Sequence, residues 1–181
     1  MKTSSAIALG LTVMLSLSLN MPQAEAQTQT KTYKGTSGAA AGAAKQGTYG
    51  KGACGATGKY SQSMAKGCAA TVTGPEGSTA TGGRTTGYKK GEGAARASGY
   101  EASTDKGNFS GAKTRVYDAQ TGAGSRSTSK SADINKDGTS DYSVDGDTAY
   151  QKGEGATTTV DTQNKGSATC TSGTGCDKEN P

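Results

Sequence analysis

The chain has no histidine, no tryptophan, one phenylalanine and three prolines in 181 residues. Without histidine it lacks the side chain whose charge changes near neutral pH, and with it the commonest metal ligand. Large apolar side chains are scarce as well. All five leucines (Leu9, Leu11, Leu15, Leu17, Leu19) fall in the first twenty residues, and beyond Ala26 only Met64, Val72, Phe109, Val116, Ile134, Val144 and Val160 stand beside the eight tyrosines. Burial is worth about 0.8 kcal/mol per CH₂, whereas ordering costs roughly 1–2 kcal/mol per residue in backbone entropy. So few side chains cannot order this chain around a close-packed interior. A rigid cleft that shifts a carboxylate pKa is excluded with that interior, and no G-x-S-x-G or Walker A pattern occurs. Enzymatic chemistry is therefore not expected.

The first 26 residues have a different character from the rest. Lys2 precedes an apolar run from Ala6 to Leu19, and Ala24-Glu25-Ala26 supplies a small-x-small site. This is the pattern of a secretory signal peptide over residues 1–26, with the mature chain starting at Gln27. Export to the periplasm, cell surface or medium makes the four cysteines candidates for disulfides. Cys54, Cys68, Cys170 and Cys176 allow three connectivities, of which Cys54–Cys68 and Cys170–Cys176 are nearest in sequence. A local loop of about 15 residues contributes up to ~3 kcal/mol by the chain-entropy argument. No C-x-x-C pair favours a four-thiolate metal site.

Glycine is abundant, with 29 residues, and it falls in regularly spaced turn sequences. One series is centred on Gly77, Gly107, Gly138 and Gly166, at intervals of about 30 residues. A second lies between them: Tyr88 to Ala94, Tyr117 to Gly124 and Tyr150 to Ala156. The intervening runs of Thr, Ser, Ala, Val, Tyr and Arg suit half-exposed strands, and glycine after Asp, Asn or Lys suits hairpin turns. The pattern predicts an all-β chain of repetitive antiparallel hairpins over residues 69–170, with a thin core. Before it lies a Gly/Ala/Lys-rich low-complexity segment (27–68), in which Ala39–Ala44 is too short and glycine-interrupted to hold a helix; after it comes a tail (171–181). The alternative reading of the same composition is a largely disordered chain stapled by its disulfides.

Charge divides along the chain. Residues 27–130 carry fifteen Lys and Arg against five acids, whereas residues 131–181 carry four lysines against nine acids. The basic, tyrosine-dotted part suits an anionic polysaccharide or cell-envelope surface through a salt-sensitive attraction. No specific nucleic-acid motif is present. Asn108-Phe109-Ser110 has the form of a glycosylation sequon.

One segment has a metal-ligand spacing. Asp133-Ile134-Asn135-Lys136-Asp137-Gly138-Thr139-Ser140-Asp141 has the form D-x-N-x-D-G-x-x-D, with oxygen ligands alternating around a glycine. These nine residues resemble the calcium loops of EF-hand, dockerin and FG-GAP proteins. The resemblance implies side-chain ligation by Asp133, Asn135, Asp137 and Asp141, and carbonyl ligation by Thr139. Val144 stands where an EF-hand has its bidentate glutamate, and no flanking helices are apparent, so the FG-GAP form is nearer. The same segment is in register with the other glycine turns and reads equally as an acidic hairpin turn. In composition the whole chain resembles exported bacterial Gly/Ser/Thr-rich repeat proteins. Two functions follow as expectations. One is a non-enzymatic secreted or cell-surface protein with a structural or matrix-interaction role. The other is a calcium-dependent module binding anionic envelope or extracellular polysaccharide.

Overall fold

The computed structural model describes residues 28–35, 38–47, 49–59, 62–74 and 76–179. The signal sequence expected over residues 1–26 lies outside the described residues. Twelve strands follow in chain order: β1 (Thr28–Gly35), β2 (Gly38–Gly47), β3 (Gly50–Lys59), β4 (Ser63–Thr73), β5 (Thr79–Lys89), β6 (Gly93–Thr104), β7 (Gly107–Asp118), β8 (Ala123–Asp133), β9 (Tyr142–Gln151), β10 (Gly155–Thr162), β11 (Gly166–Thr171) and β12 (Gly175–Glu179). Each pairs antiparallel with the next, giving one open sheet in the order β1 to β12. The chain is thus the all-β hairpin array expected from its composition. The sheet reaches beyond 69–170 at both ends, because the 27–68 segment supplies β1 to β4 and the tail supplies β12. Ala39–Ala44 is extended within β2.

The turns explain the register. Gly91 and Gly93 adopt φ of 78° and 132° around the β5–β6 turn, and Gly153 and Gly155 adopt 88° and 98° around β9–β10. Positive φ at these positions is open to glycine with little penalty, and it lets a short loop reverse a twisted strand pair. The β7–β8 turn adds a side chain to a positive-φ glycine, Gly122 at 69°: Asp118 Oδ1 accepts hydrogen bonds from the amides of Gln120 (2.8 Å) and Thr121 (3.3 Å). Between turns, side chains pair across the ladders. Hydroxyl contacts join Thr148 to Thr158 at 3.0 Å, Thr159 to Thr169 at 3.2 Å and Ser110 to Ser131 at 2.7 Å. Such pairs, with the backbone ladders, are the sheet's unit of stabilisation.

There is no second layer among the described residues. No hydrophobic side chain there is buried, so the thin core expected from the sequence is in fact no core. The two disulfides link Cys54 to Cys68 across β3–β4 and Cys170 to Cys176 across β11–β12. Both join directly opposed residues and follow the nearest-neighbour connectivity. No described helix is long and apolar enough to cross a membrane.

Candidate functional site

Opposed residues in an antiparallel sheet project to the same face, and alternate residues along a strand project to opposite faces. Following the register from β4 to β12 therefore sorts every side chain onto one of two faces. The front face carries Lys66, Arg84, Arg96, Lys113, Arg115, Arg126 and Lys130 on β4 to β8, and no carboxylate at any strand position from β4 to β12. The back face of β6 to β12 carries Glu101, Asp118, Asp133, Asp145, Asp147, Asp161, Asp177 and Glu179, and no lysine or arginine. The charge division seen along the chain is thus also a division through the thickness of the sheet.

The cations are concentrated. Arg96, Arg115 and Arg126 occupy one rung on consecutive strands, with Arg115 directly opposite both neighbours. Like charges placed opposite one another destabilise a sheet. Lys113, one rung away, has its ammonium pKa lowered from the ordinary 10.5 by desolvation and then by Arg115, Arg126, Arg96 and Lys130. Among the described residues the one ion pair, Lys89 with Glu92, lies at a turn away from this cluster.

Tyrosines share the front face. Tyr88, Tyr117 and Tyr150 stand on one rung of β5, β7 and β9, with Ala94, Gly124 and Ala156 between and beyond them on β6, β8 and β10. A Cβ added to Gly124 would lie 3.6 Å from the Tyr117 ring and 3.9 Å from the Tyr150 ring, so the two rings lean over that glycine from either side. All three tyrosines are nearly half exposed. The front is hollowed in two places. A trough of about 1360 Å³ runs over β1 to β8, bordered by Lys45, Lys66, Arg84, Lys113, Arg126 and Lys130. A second hollow of about 420 Å³ is lined by Arg96, Arg115, Arg126, Tyr117 and Tyr150.

The acidic loop lies at the edge of this arrangement, between β8 and β9. Its carboxylates are turned largely to its own backbone. Asp133 Oδ2 accepts from Gly138 N at 3.1 Å and from Asn108 Nδ2 at 3.4 Å, Asp137 Oδ1 from Thr139 N at 2.7 Å, and Asp141 Oδ2 from Ile134 N at 2.6 Å. Asn135 Oδ1 accepts from Asp137 N at 3.1 Å, and Lys136 adopts a left-handed conformation with φ of 60°. Among the described residues, no three His, Cys, Asp or Glu side chains converge as a metal-binding group. One atom is nevertheless left over: Asp133 is 9% exposed, and its Oδ1 is buried without a hydrogen-bond partner. Asn108, the sequon residue, has its amide engaged with Asp133 and with Ser103.

Neither a known protein family, nor a curated protein, nor a solved structure matches this chain.

Proposed function

We propose that this is a non-enzymatic, secreted or cell-surface protein with a structural or matrix-interaction role, which adheres to an anionic polymer through the front face of its sheet. One observation supports this above the others: seven cations share a face with no carboxylate, although the chain has acids enough to neutralise them on the opposite face. Placing Arg96, Arg115 and Arg126 on one rung works against the sheet unless an anion lies over them. Anionic envelope or extracellular polysaccharide is the polymer class that an exported chain of this kind meets.

The test is the salt dependence of binding to a soluble polyuronate by the oxidised mature chain, residues 27–181. Binding is expected to weaken steeply with salt, and Arg96→Gln/Arg115→Gln/Arg126→Gln to lower the slope by about two to three. Equal affinity and equal slope in the triple variant would rule the reading out.

A second reading, calcium binding by the Asp133–Asp141 loop, is favoured by the unpartnered Asp133 Oδ1, since a buried carboxylate oxygen without a donor is costly and a cation would satisfy it. Asp133, Asn135, Asp137, Thr139 and Asp141 would hold the ion, and the extracellular affinity range is on the order of 10⁻⁴–10⁻³ M. Calorimetry with millimolar calcium tests it: heat that vanishes in Asp133→Ala supports the site, and no heat in the parent chain discards it.

A further inference from the structure

We propose that the smaller hollow is a subsite for an acidic sugar, and that an acidic glycan lies across the strands, at right angles to them. This rests on the polyanion reading and deepens it. Two parallel rows cross the sheet on its front face. One holds Arg96, Arg115 and Arg126, and the adjacent rung holds Tyr88, Tyr117 and Tyr150. The guanidinium row steps by one strand and the ring row by two, so the ring-bearing positions recur roughly every 9–10 Å. That is close to the length of one extended disaccharide.

The small residues between the rings matter as much as the rings. With Ala94 and Gly124 intervening, no bulky side chain stands between the ring-bearing strands, and the hollow of about 420 Å³ lies where Tyr117, Tyr150 and the arginines meet. An aromatic face takes the apolar C–H face of a sugar ring, while a guanidinium fork takes its carboxylate or sulfate in a bidentate contact. Each disaccharide then sets one sugar on a ring and one anionic group within reach of the arginine row. Single-stranded nucleic acid would instead favour a ring for each successive base. Ala94 and Gly124 occupy the intervening strands on that rung, so the spacing favours the glycan.

The test uses oligouronates of two, four and six sugars, and single-stranded DNA of equal charge, titrated against the oxidised mature chain. Affinity is expected to rise at least about tenfold from two to four sugars, as the second ring is reached, and Tyr117→Ser and Tyr150→Ser each to weaken the four-sugar ligand by about five- to twentyfold. Tyr117→Phe and Tyr150→Phe, which keep the ring and its cover over Gly124, are expected to bind like the parent. Tyr142→Ser, on the same face but beyond the arginine row, is expected to change affinity less than about twofold. Parent-like binding by the serine variants, with loss in the triple arginine variant, would overturn the subsite and leave the polyanion reading standing. DNA binding as tightly as the four-sugar ligand, with the same loss in the serine variants, would overturn the glycan in favour of nucleic acid. Unchanged binding in the triple arginine variant would end both proposals.

Discussion

Arg96 and Arg115 stand directly opposite one another on β6 and β7, and Arg126 faces Arg115 from the other side. Without an anion over them these contacts cost stability. In the unliganded chain, Arg115→Gln is expected to raise the unfolding free energy by a few tenths of a kcal/mol for each of the two like-charge pairs it removes. The gain should shrink when salt is raised to 1 M, where the screening length falls to about 3 Å. Urea unfolding at low and high salt checks this. A loss of stability in Arg115→Gln at low salt would show that the guanidinium packs usefully against the sheet and that repulsion is not its main effect.

Lys113 gives the same cluster a pH signature. Desolvation first, then the neighbouring cations, hold its ammonium below the ordinary 10.5. A lysine whose folded pKa is depressed opposes folding while it is charged in both states, and the opposition is relieved as pH rises through the folded value towards 10.5. Stability should therefore climb over the interval just below 10.5 relative to Lys113→Gln, which lacks the titrating group. Chemical denaturation of both chains across that interval is the measurement, and identical pH profiles would contradict the assignment.

Asp118 behaves in the opposite sense. Its carboxylate is held below the ordinary 3.8 by hydrogen bonds from the backbone amides of Gln120 and Thr121. Its contribution is complete above 3.8 and is lost as pH falls through the lower folded value. Asp118→Ala should speed amide exchange at Gln120 and Thr121 at neutral pH while leaving the β9–β10 turn unchanged. Unaltered exchange at those two amides would mean that the turn is held by its backbone alone.

Glycine positions separate backbone need from open space. Gly93 has φ of 132°, and a Cβ there would run into the Tyr117 carbonyl, whereas Gly87 has an ordinary φ and nothing within 4 Å. Gly93→Ala is expected to cost about 1–3 kcal/mol. Gly87→Ala should be neutral, or stabilising by about 0.4–1 kcal/mol, through the unfolded chain. Thermal unfolding of the two variants side by side decides, and equal midpoints would place the β6–β7 register elsewhere.

Much of this fold is legible in the sequence, for reasons that can be named. Thr, Val and Tyr between glycine turns leave no other regular structure, and short cysteine loops favour local pairing. The hydrogen-bonded ring at Asp133–Asp141 is visible as a spacing, but spacing alone does not tell whether its oxygens face a cation or their own amides. The front face is the feature that a linear reading misses. Counting charge along the chain averages over both faces, whereas Arg96, Arg115 and Arg126 share a face because each hairpin reflects the strand about its turn. The signal is parity. Once the turn centres are fixed near 105 and 120, residues whose numbers mirror across them must point the same way. Glu101 and Asp133, which have the other parity on their strands, fall on the back.

The strand order has a mechanical consequence. Because every strand is bonded only to the one before and the one after it, tension on the two ends meets no interlocked core. The chain should peel from its margins one strand at a time, lengthening in small steps at modest force. The Cys170–Cys176 bond joins the last two strands at one margin, and Cys54–Cys68 lies two strands in from the other. Neither bond ties its hairpin to the next strand, so peeling passes through both; each keeps the segment it closes, residues 55–67 and 171–175, from adding to the length released.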